Sequence, residues 1–580
     1  MRVTTTKSKN AESFYINYAY IDKNGKSTSR IYKKLGTIKE LSEKLNTDRD
    51  GVMAWAKKQA LEETKKYKEE NESVTLSLSP SLLINKDRDN LFNCGYLFLQ
   101  SICSSLRIDN ICRNIKTRYN YEYDLHAILT DLIYARILSP SSKLSSYEYC
   151  MTLLEKPKYK LHDVYRALYL LAKESDYIQS ELYRNSEFIH LRNTKVLYYD
   201  CTNYYFEIEE AKQDKQYGKS KEHRPNPIVG MGLFMDSDGM PLAFDIYPGN
   251  KNEQLTLKPL EEKVIKDFDC SKFIYCSDSG LGSKNNKLLN SIGDKAYVIT
   301  QSLKKLRKED RDIALNTKQY KKLNSNKFID LNDLDEDDKE VFNSIYYKEI
   351  PIDKGSIHET LIVTYSPKYK EYQRRIRQGQ IDRAKEQLNN GKLKKTRKNP
   401  NDPARFFKRV DTTENGEVAK ETYYSLDEEM IENEQQYDGF YGVVTNLEGD
   451  VKDIIAINKQ RWQIEECFRI MKTEFKARPV YLSRQDAIKS HFLTCFMALL
   501  VYRLLENKLD NKYTVSQIVE TLRNMNVLDM EGLGYIPAYT RSDITDSLHD
   551  LVNYRLDNQI IKKAKMKSII HESKKKDTLR

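Results

Sequence analysis

Apolar and polar positions along the 580-residue chain change period several times. Near the start Phe14, Ile16, Tyr18 and Tyr20 alternate with polar residues, and Asp22-Lys23-Asn24-Gly25 follows before more strand-like sequence. A period of two broken by Asn-Gly predicts a β hairpin. Residues 38 to 71 are rich in Ala, Leu, Lys and Glu and predict helix, and residues 90 to 190 carry helix-period segments such as Asp124 to Leu138 and His162 to Ser175. That second block reads as an all-helical domain.

At residue 195 the pattern switches to short β-branched and aromatic runs: Val196 to Asp200, Ile228 to Met235, Leu242 to Tyr247, Phe273 to Asp278 and Tyr297 to Thr300. A turn at Asp236-Ser237-Asp238-Gly239 separates the second from the third, and a helix-compatible stretch from Leu255 to Asp267 separates the third from the fourth. Three antiparallel strands, a helix and further strands describe an α/β sheet. Residues 301 to 438 interrupt it with charge runs and isolated strands at Ser344 to Ile350 and Leu361 to Tyr365, as an insertion would. A further strand follows at Gly439 to Thr445, and from Ile454 the chain reads as helix, interrupted at Gly532 to Pro537.

Composition narrows the class. Apolar residues are 39% and charged residues 31%, with 21 Gly and 14 Pro, which excludes a disordered or collagen-like chain. Met1 to Phe14 is polar and lacks the apolar stretch of a secretory signal, so an intracellular protein is expected. The longest apolar run, Phe492 to Tyr502, would rise about 16 Å as a helix, too short for a bilayer, and predicts a buried helix. The nine cysteines are odd in number and contain no C-x-x-C pair, which argues against disulfides and zinc and for buried thiols. Lys and Arg number 96 against 85 acids, a net charge of +11 that favours a polyanionic partner.

Candidate chemistry rests on three carboxylates. Asp200 closes the first predicted strand of the sheet and Asp278 the fourth, so both would reach one rim if those strands are neighbours. The third, Glu465, lies on a predicted helix containing Arg461 to Lys472. At about 100° per residue Arg461, Glu465 and Lys472 share one narrow face, while Ile464, Phe468, Met471 and Phe475 form the core stripe. Glu466 points away from that stripe and reads as a solvated charge, and Trp462 reads as a core residue beside Ile464 and Phe468, against the alternative of stacking on an extruded base. The plainer account of the shared face is an ion-pair ladder.

These motifs in this order resemble the DDE transposases of bacterial insertion sequences that carry a Tyr-x2-Arg-x3-Glu-x6-Lys signature. The matching residues are Asp200-Cys201-Thr202, Ser277-Asp278-Ser279-Gly280 and Arg461-x3-Glu465-x6-Lys472, with Pro248-Gly249-Asn250, Asp438 to Thr445 and Arg478-Pro479-Val480-Tyr481 around them. The signature Tyr falls on Asn458, a departure from the pattern. The resemblance implies an α/β fold, a ribonuclease H-like core with an inserted mostly β and basic-helical subdomain, plus an N-terminal β hairpin and helical domains. It implies metal-dependent hydrolysis and strand transfer at the element's ends, a cut-and-paste transposition, with Asp200, Asp278 and Glu465 holding two Mg2+ that Mn2+ can replace. Arg461 and Lys472 would bind phosphates beside the scissile bond. A nuclease of the same core without strand transfer and an inactive, transposase-derived DNA-binding protein are the alternatives.

Charge runs then acquire a meaning. Residues 368 to 409 hold 15 Lys/Arg and 4 Asp/Glu, so this segment alone carries +11. With Tyr369, Tyr372, Phe406 and Phe407 interleaved it reads as a DNA-binding surface, Arg374, Arg375, Arg377, Lys394, Lys395 and Arg397 being its candidates, against the alternative of a solvated charged helix. Residues 301 to 328 and 330 to 340 carry opposite charge and either pair or form a solvated hinge. Lys219, Lys221, His223 and Arg224 form a basic loop after the first strand that reads as a surface loop, against the alternative of a place near the substrate, and the tail from Lys562 reads as a second basic patch of disordered type. The expected organisation is 1–88, hairpin and charged helix; 89–192, a helical domain for binding DNA ends; 193–300 and 439–510, the two parts of the core; 301–438, the insertion; and 511–580, a helical region and tail. The expected partners are double-stranded DNA, as terminal inverted repeats and target, and a second copy of the chain, with no membrane; the expected place is the bacterial cytoplasm, at the nucleoid when bound to DNA.

Overall fold

The protein is described from a computed structural model, which covers every residue except 9–10, 22–25, 72–79, 82, 354, 356, 391–401 and 413–417. The described residues form two compact units, Met1–Arg88 and Asp89–Arg580. The first is an antiparallel sheet of three strands, Arg2–Lys7, Glu12–Ile21 and Ser27–Thr37, with helices Ile38–Leu45 and Arg49–Asn71. Its period-two stripe ends in a small core of Phe14, Leu41, Val52 and Ala56. The strand Arg2–Lys7 joins the expected hairpin as a third member, whereas the Asn24-Gly25 turn lies outside the described residues.

The second unit begins with helices, among them α1 (Leu125–Leu138), α2 (Lys143–Cys150) and α3 (Leu161–Lys173). The cap chemistry expected of such starts is present: the Asp124 carboxylate accepts from the Ala127 amide (3.0 Å) and the Ser142 hydroxyl from the Ser145 amide (3.1 Å).

A ten-stranded mixed sheet follows. Its strands in chain order are β1 (Val196–Tyr205), β2 (Ile228–Met235), β3 (Pro241–Pro248), β4 (Ile274–Ser277), β5 (Ala296–Gln301), β6 (Tyr320–Lys322), β7 (Phe328–Ile329), β8 (Tyr346–Asp353), β9 (His358–Tyr365) and β10 (Phe440–Thr445). In space the order is β7-β6-β8-β9-β10-β5-β4-β1-β2-β3. β1, β4 and β5 run parallel and the other neighbours antiparallel. Every side chain of β2 is buried, the expectation for a continuous apolar strand covered on both faces. Strands β6 to β9, from the segment read as an insertion, continue the same sheet beyond β10. The charge runs of that segment are paired in part: Lys322 donates to Glu340 (2.6 Å), and Lys370 donates to Glu336 (2.7 Å).

Helices α4 (Leu257–Phe268), α5 (Pro367–Asn389), α6 (Val451–Gln460), α7 (Trp462–Thr473) and α8 (Gln485–Lys508) complete the frame. α8 carries the run Phe492 to Tyr502 but extends to 24 residues, longer than the run alone suggested. By length and composition it could cross a membrane; 89% of its most apolar window is buried within the protein, and it is a core helix. Its Phe492 ring meets Tyr204 of β1 (4.8 Å between centroids) and Phe496 meets Phe244 of β3 (5.1 Å). One hydrophobic cluster runs from Cys94 through these residues to Ile569. All nine cysteines are free and buried.

Two sequence expectations change at the C-terminal end. The interruption at Gly532 to Pro537 is half of a strand pair, Asn526–Met530 with Gly534–Pro537, which adds Leu91–Asn93 as a third strand. The tail is ordered: helix Lys563–Ser573 buries Met566 and Ile569, and the Ser573 hydroxyl donates to Gln100 (2.6 Å). Its lysines concealed a helical period of apolar residues that finds its partner only in the folded molecule.

Candidate active site

β1 and β4 are parallel neighbours in the register Val196↔Ile274, Leu197↔Tyr275 and Tyr198↔Cys276. Two residues further along each strand lie Asp200 and Asp278, so the two acids end side by side. Asp278 directly follows β4, where its Oδ1 accepts from the amides of Gly280 (3.0 Å) and Leu281 (3.2 Å). Asp200 does not close its strand, as the sequence suggested: β1 runs on to Tyr205, because Thr202, Tyr204 and their neighbours pair with β2 as far as Ile228. The Asp200 Oδ1 accepts from the Cys201 amide (2.7 Å). Burial pushes the Asp200 carboxyl up to about 6; Lys221 opposes that rise and the charge of Asp278 adds to it.

The acidic helix is anchored against these strands. The Tyr198 hydroxyl donates to the Ile457 carbonyl of α6 (3.0 Å), and the Tyr204 hydroxyl reaches the Met471 sulfur of α7 (3.7 Å). Arg461 occupies the break between α6 and α7. Its Nη1 donates to Glu465 Oε1 (2.8 Å). Burial disfavours the Arg461 charge, but Glu465, Tyr441, Asp200 and Asp278 together raise its pKa. Lys472 does not form a ladder with Glu465. Its Nζ donates to the Thr202 hydroxyl of β1 (2.6 Å) and lies 3.7 Å from Glu222. Burial, with Lys221 beside it, pulls Lys472 down to about 8, which Asp200 resists.

Asp200, Asp278, Arg461 and Lys472 therefore meet, whereas Glu465 reaches the group only through Arg461. Its side chain is 56% exposed against 25% for Glu466, the reverse of the expected order, since Glu466 is engaged by Arg469 (2.7 Å) and faces Arg503. Trp462 is 57% exposed, not a core residue: the helix restarts at that position after the turn at Arg461, and Ile464 and Phe468 take the buried face. Asn458 is buried, accepts from the Thr300 hydroxyl (3.1 Å) and donates to the Tyr441 hydroxyl (3.2 Å). Among the described residues no group of three His, Cys, Asp or Glu side chains is gathered closely enough to hold a metal ion. The donor chemistry of the Asp200–Asp278 pair nonetheless fits a hard divalent cation, since two carboxylates crowd each other at one sheet edge and neither accepts a hydrogen bond from a cationic side chain among the described contacts.

Lys221, read in the sequence as part of a basic loop either near the substrate or at the surface, lies beside Asp200. The basic loop folds back over the sheet, where Gln216 bridges to Ile228, and Asn203 holds it by donating to the Lys219 carbonyl (3.1 Å) and accepting from the Lys221 amide (3.2 Å). Lys221 Nζ then donates to the Cys201 carbonyl and faces Glu253 at 3.6 Å. The density of cations in 219–224 was the available signal, but their distance from Asp200 was not.

The basic segment divides. Arg374 and Arg375 are exposed on α5. Arg377 is corrected: it is buried and bidentate on Asp438 (2.8 Å for one contact), leaving no guanidinium edge for a phosphate. Its place on the inner face of α5, opposite Asp438 at the end of the charged segment, decided this. Lys394, Lys395 and Arg397 lie outside the described residues.

Comparison with known proteins identifies a family. The family model "Transposase DDE domain" matches residues 205–501, a span that begins just after Asp200 and contains Asp278 and Glu465. No curated protein matches the chain. Among solved structures, the cryo-EM structure of a piggyBac transposase synaptic complex with hairpin DNA overlays with a TM-score of 0.33 at 8% identity, covering 74% of this chain and 78% of that one. With the family model spanning just over half of its 580 residues, the chain belongs to the DDE transposase family.

Proposed function

We propose that this DNA transposase cuts and rejoins DNA at the ends of a bacterial insertion sequence of the Tyr-Arg-Glu-Lys signature group. The observation that carries the reading is the parallel β1–β4 register, which brings Asp200 and Asp278 together beside Arg461 and Lys472. Asp200 and Asp278 would hold Mg2+, and Glu465 would complete the set on leaving Arg461. Two such ions activate an attacking oxygen and stabilise a leaving one in an in-line displacement at phosphorus. Arg461 and Lys472 hold the flanking phosphates by charge-assisted hydrogen bonds. Double-stranded DNA is the substrate, as both terminal inverted repeats and target, and two copies of the chain pair the two ends within the bacterial cytoplasm.

One observation favours a second reading, an inactive DNA-binding descendant: Glu465 is engaged by Arg461 instead of facing the aspartates. A single assay separates them. Purified protein incubated with duplexes carrying the element's ends should cleave them with Mg2+ and not with EDTA. Asp200→Asn, Asp278→Asn and Glu465→Gln should each lower cleavage by about 100-fold or more while DNA binding persists. Full cleavage by all three variants rejects the site, and an inert wild-type protein that still binds DNA supports the second reading.

A further inference from the structure

A pocket beside the α7–α8 connection is not used by the catalytic reading. It has a volume of about 240 Å3 and is lined by Arg136 of α1, Ser142 and Lys143 at the start of α2, Lys476 and Arg478 after α7, and His491 of α8; no Asp or Glu lines it. Lys143 is 4% exposed, and its ammonium has no hydrogen-bond partner. Arg136 is also buried; it donates to the carbonyls of Phe475 and Ser141 (3.1 Å each), and its Nε is unpartnered. Among the described residues, Arg478 is the one of these cations with a counter-charge, Glu222. Burial, reinforced by Arg136, pulls Lys143 down to about 7, and burial with Arg136 and Lys143 holds the His491 imidazole neutral.

Buried cations without acids are costly, because desolvation and mutual repulsion both act against folding. An anion removes both penalties. The N-terminus of the eight-residue helix α2 adds a partial positive charge on the same side, where the Lys143 and Leu144 amides precede the first capped amide at Ser145. Position argues for which anion. Arg478 reaches Glu222, which faces Lys472 on Thr202, two residues from Asp200. On the other side Tyr165 lines both this pocket and a larger open groove of about 1060 Å3, where Lys158, Lys160, Arg166 and Arg484 stand against Glu122, Asp124 and Asp163.

We propose that the pocket formed by Arg136, Lys143, Lys476 and the N-terminus of α2 binds a backbone phosphate of the DNA that runs from the Tyr165 groove toward Asp200. The inference rests on the proposed action on DNA, but its test needs no cleavage. Anisotropy of a fluorescein-labelled duplex of arbitrary sequence, without divalent metal, should show tighter binding to wild type than to Lys143→Met or Lys476→Met. Each variant should reduce the slope of log K against log salt by about 0.9, the loss of one phosphate contact. Below pH 7, where Lys143 carries its charge, Lys143→Met should also melt at or above the wild-type temperature, since it removes an unpaired buried charge; a merely structural lysine would give a lower melting temperature. Lys476→Met, at an exposed position, tests the same pocket without touching the core. Unchanged slopes in both variants overturn the proposal, whether or not the protein cleaves DNA. A wild-type melting temperature raised by inorganic phosphate through Lys143, with DNA binding unchanged by either variant, overturns it in favour of a small-anion site. Weakened binding by both variants upholds it even if the protein proves catalytically inert.

Discussion

Arg377 and Asp438 illustrate how far one contact can redirect a residue's meaning. In the sequence Arg377 is one cation among fifteen between residues 368 and 409; in the fold it fills a buried bidentate pair. Arg377→Ala would leave the Asp438 carboxylate buried with, among the described residues, the exposed Arg374 guanidinium as its remaining ion-pair partner, at 3.7 Å. Breaking one side of such a pair costs about 3–5 kcal/mol, so the variant should unfold at clearly lower urea while its DNA affinity per folded molecule stays near wild type. An equal loss in Arg374→Ala would contradict this division of labour, since that side chain is exposed and should cost under about 1 kcal/mol. The same distinction separates Glu465 from Glu466. Helical spacing gives their angular positions, but the Arg469 and Arg503 side chains around Glu466 decide which is exposed.

At the scale of elements the candidate site depends on how loops and strands are fastened. The loop bearing Lys221 reaches Asp200 because Asn203, on β1 itself, fixes its backbone at two points. Asn203→Ala removes both hydrogen bonds, a loss of about 1–3 kcal/mol, and releases Lys221 from the carboxylate it moderates. On the role proposed for Asp200, end cleavage should fall about 10- to 100-fold with duplex binding little changed. Wild-type cleavage in this variant would remove Lys221 from the site. The β1–β4 register is set more firmly. Tyr198 and Cys276 are buried in one cluster and Leu197, Tyr199 and Tyr275 in the other, so a slip of one residue would exchange side chains between two different cores and displace Asp200 from Asp278.

For Asp89–Arg580 as a whole the governing fact is a hydrophobic cluster that runs from Cys94 to Ile569 and takes in α8, beside a second cluster that runs from Leu197 to Val444. Helices from the N-terminal part of this unit, the sheet and the C-terminal helices all contribute to the first. Leu168→Ala on α3 and Phe244→Ala on β3 each empty a fully packed position, at about 2–5 and 3–5 kcal/mol. In calorimetry both should shift one and the same unfolding transition of this unit downward. Two transitions, each responding to only one variant, would mean that the helical block and the sheet unfold independently.

The sequence by itself determined which segments become which elements: the alternation before Asn24-Gly25, the helix period of Asp124 to Leu138, and the five strand runs after residue 195 fix local conformation through backbone sterics and periodic burial. It also contained Asp200, Asp278, Arg461, Glu465 and Lys472 in an order that resembles the DDE transposases, and the family match carries that resemblance to the level of the family. What remained hidden needed distances between residues far apart in the chain. Lys221 near Asp200, Arg377 on Asp438, the ordered tail helix and the uncompensated cations around Lys143 each depend on a partner 20 to more than 300 residues away. Charge counted along a chain has no sign of burial, and burial decides whether a cation is solvated, paired or left waiting for an anion. Tertiary structure made that decision, by bringing low-dielectric surroundings to some charges and water to others.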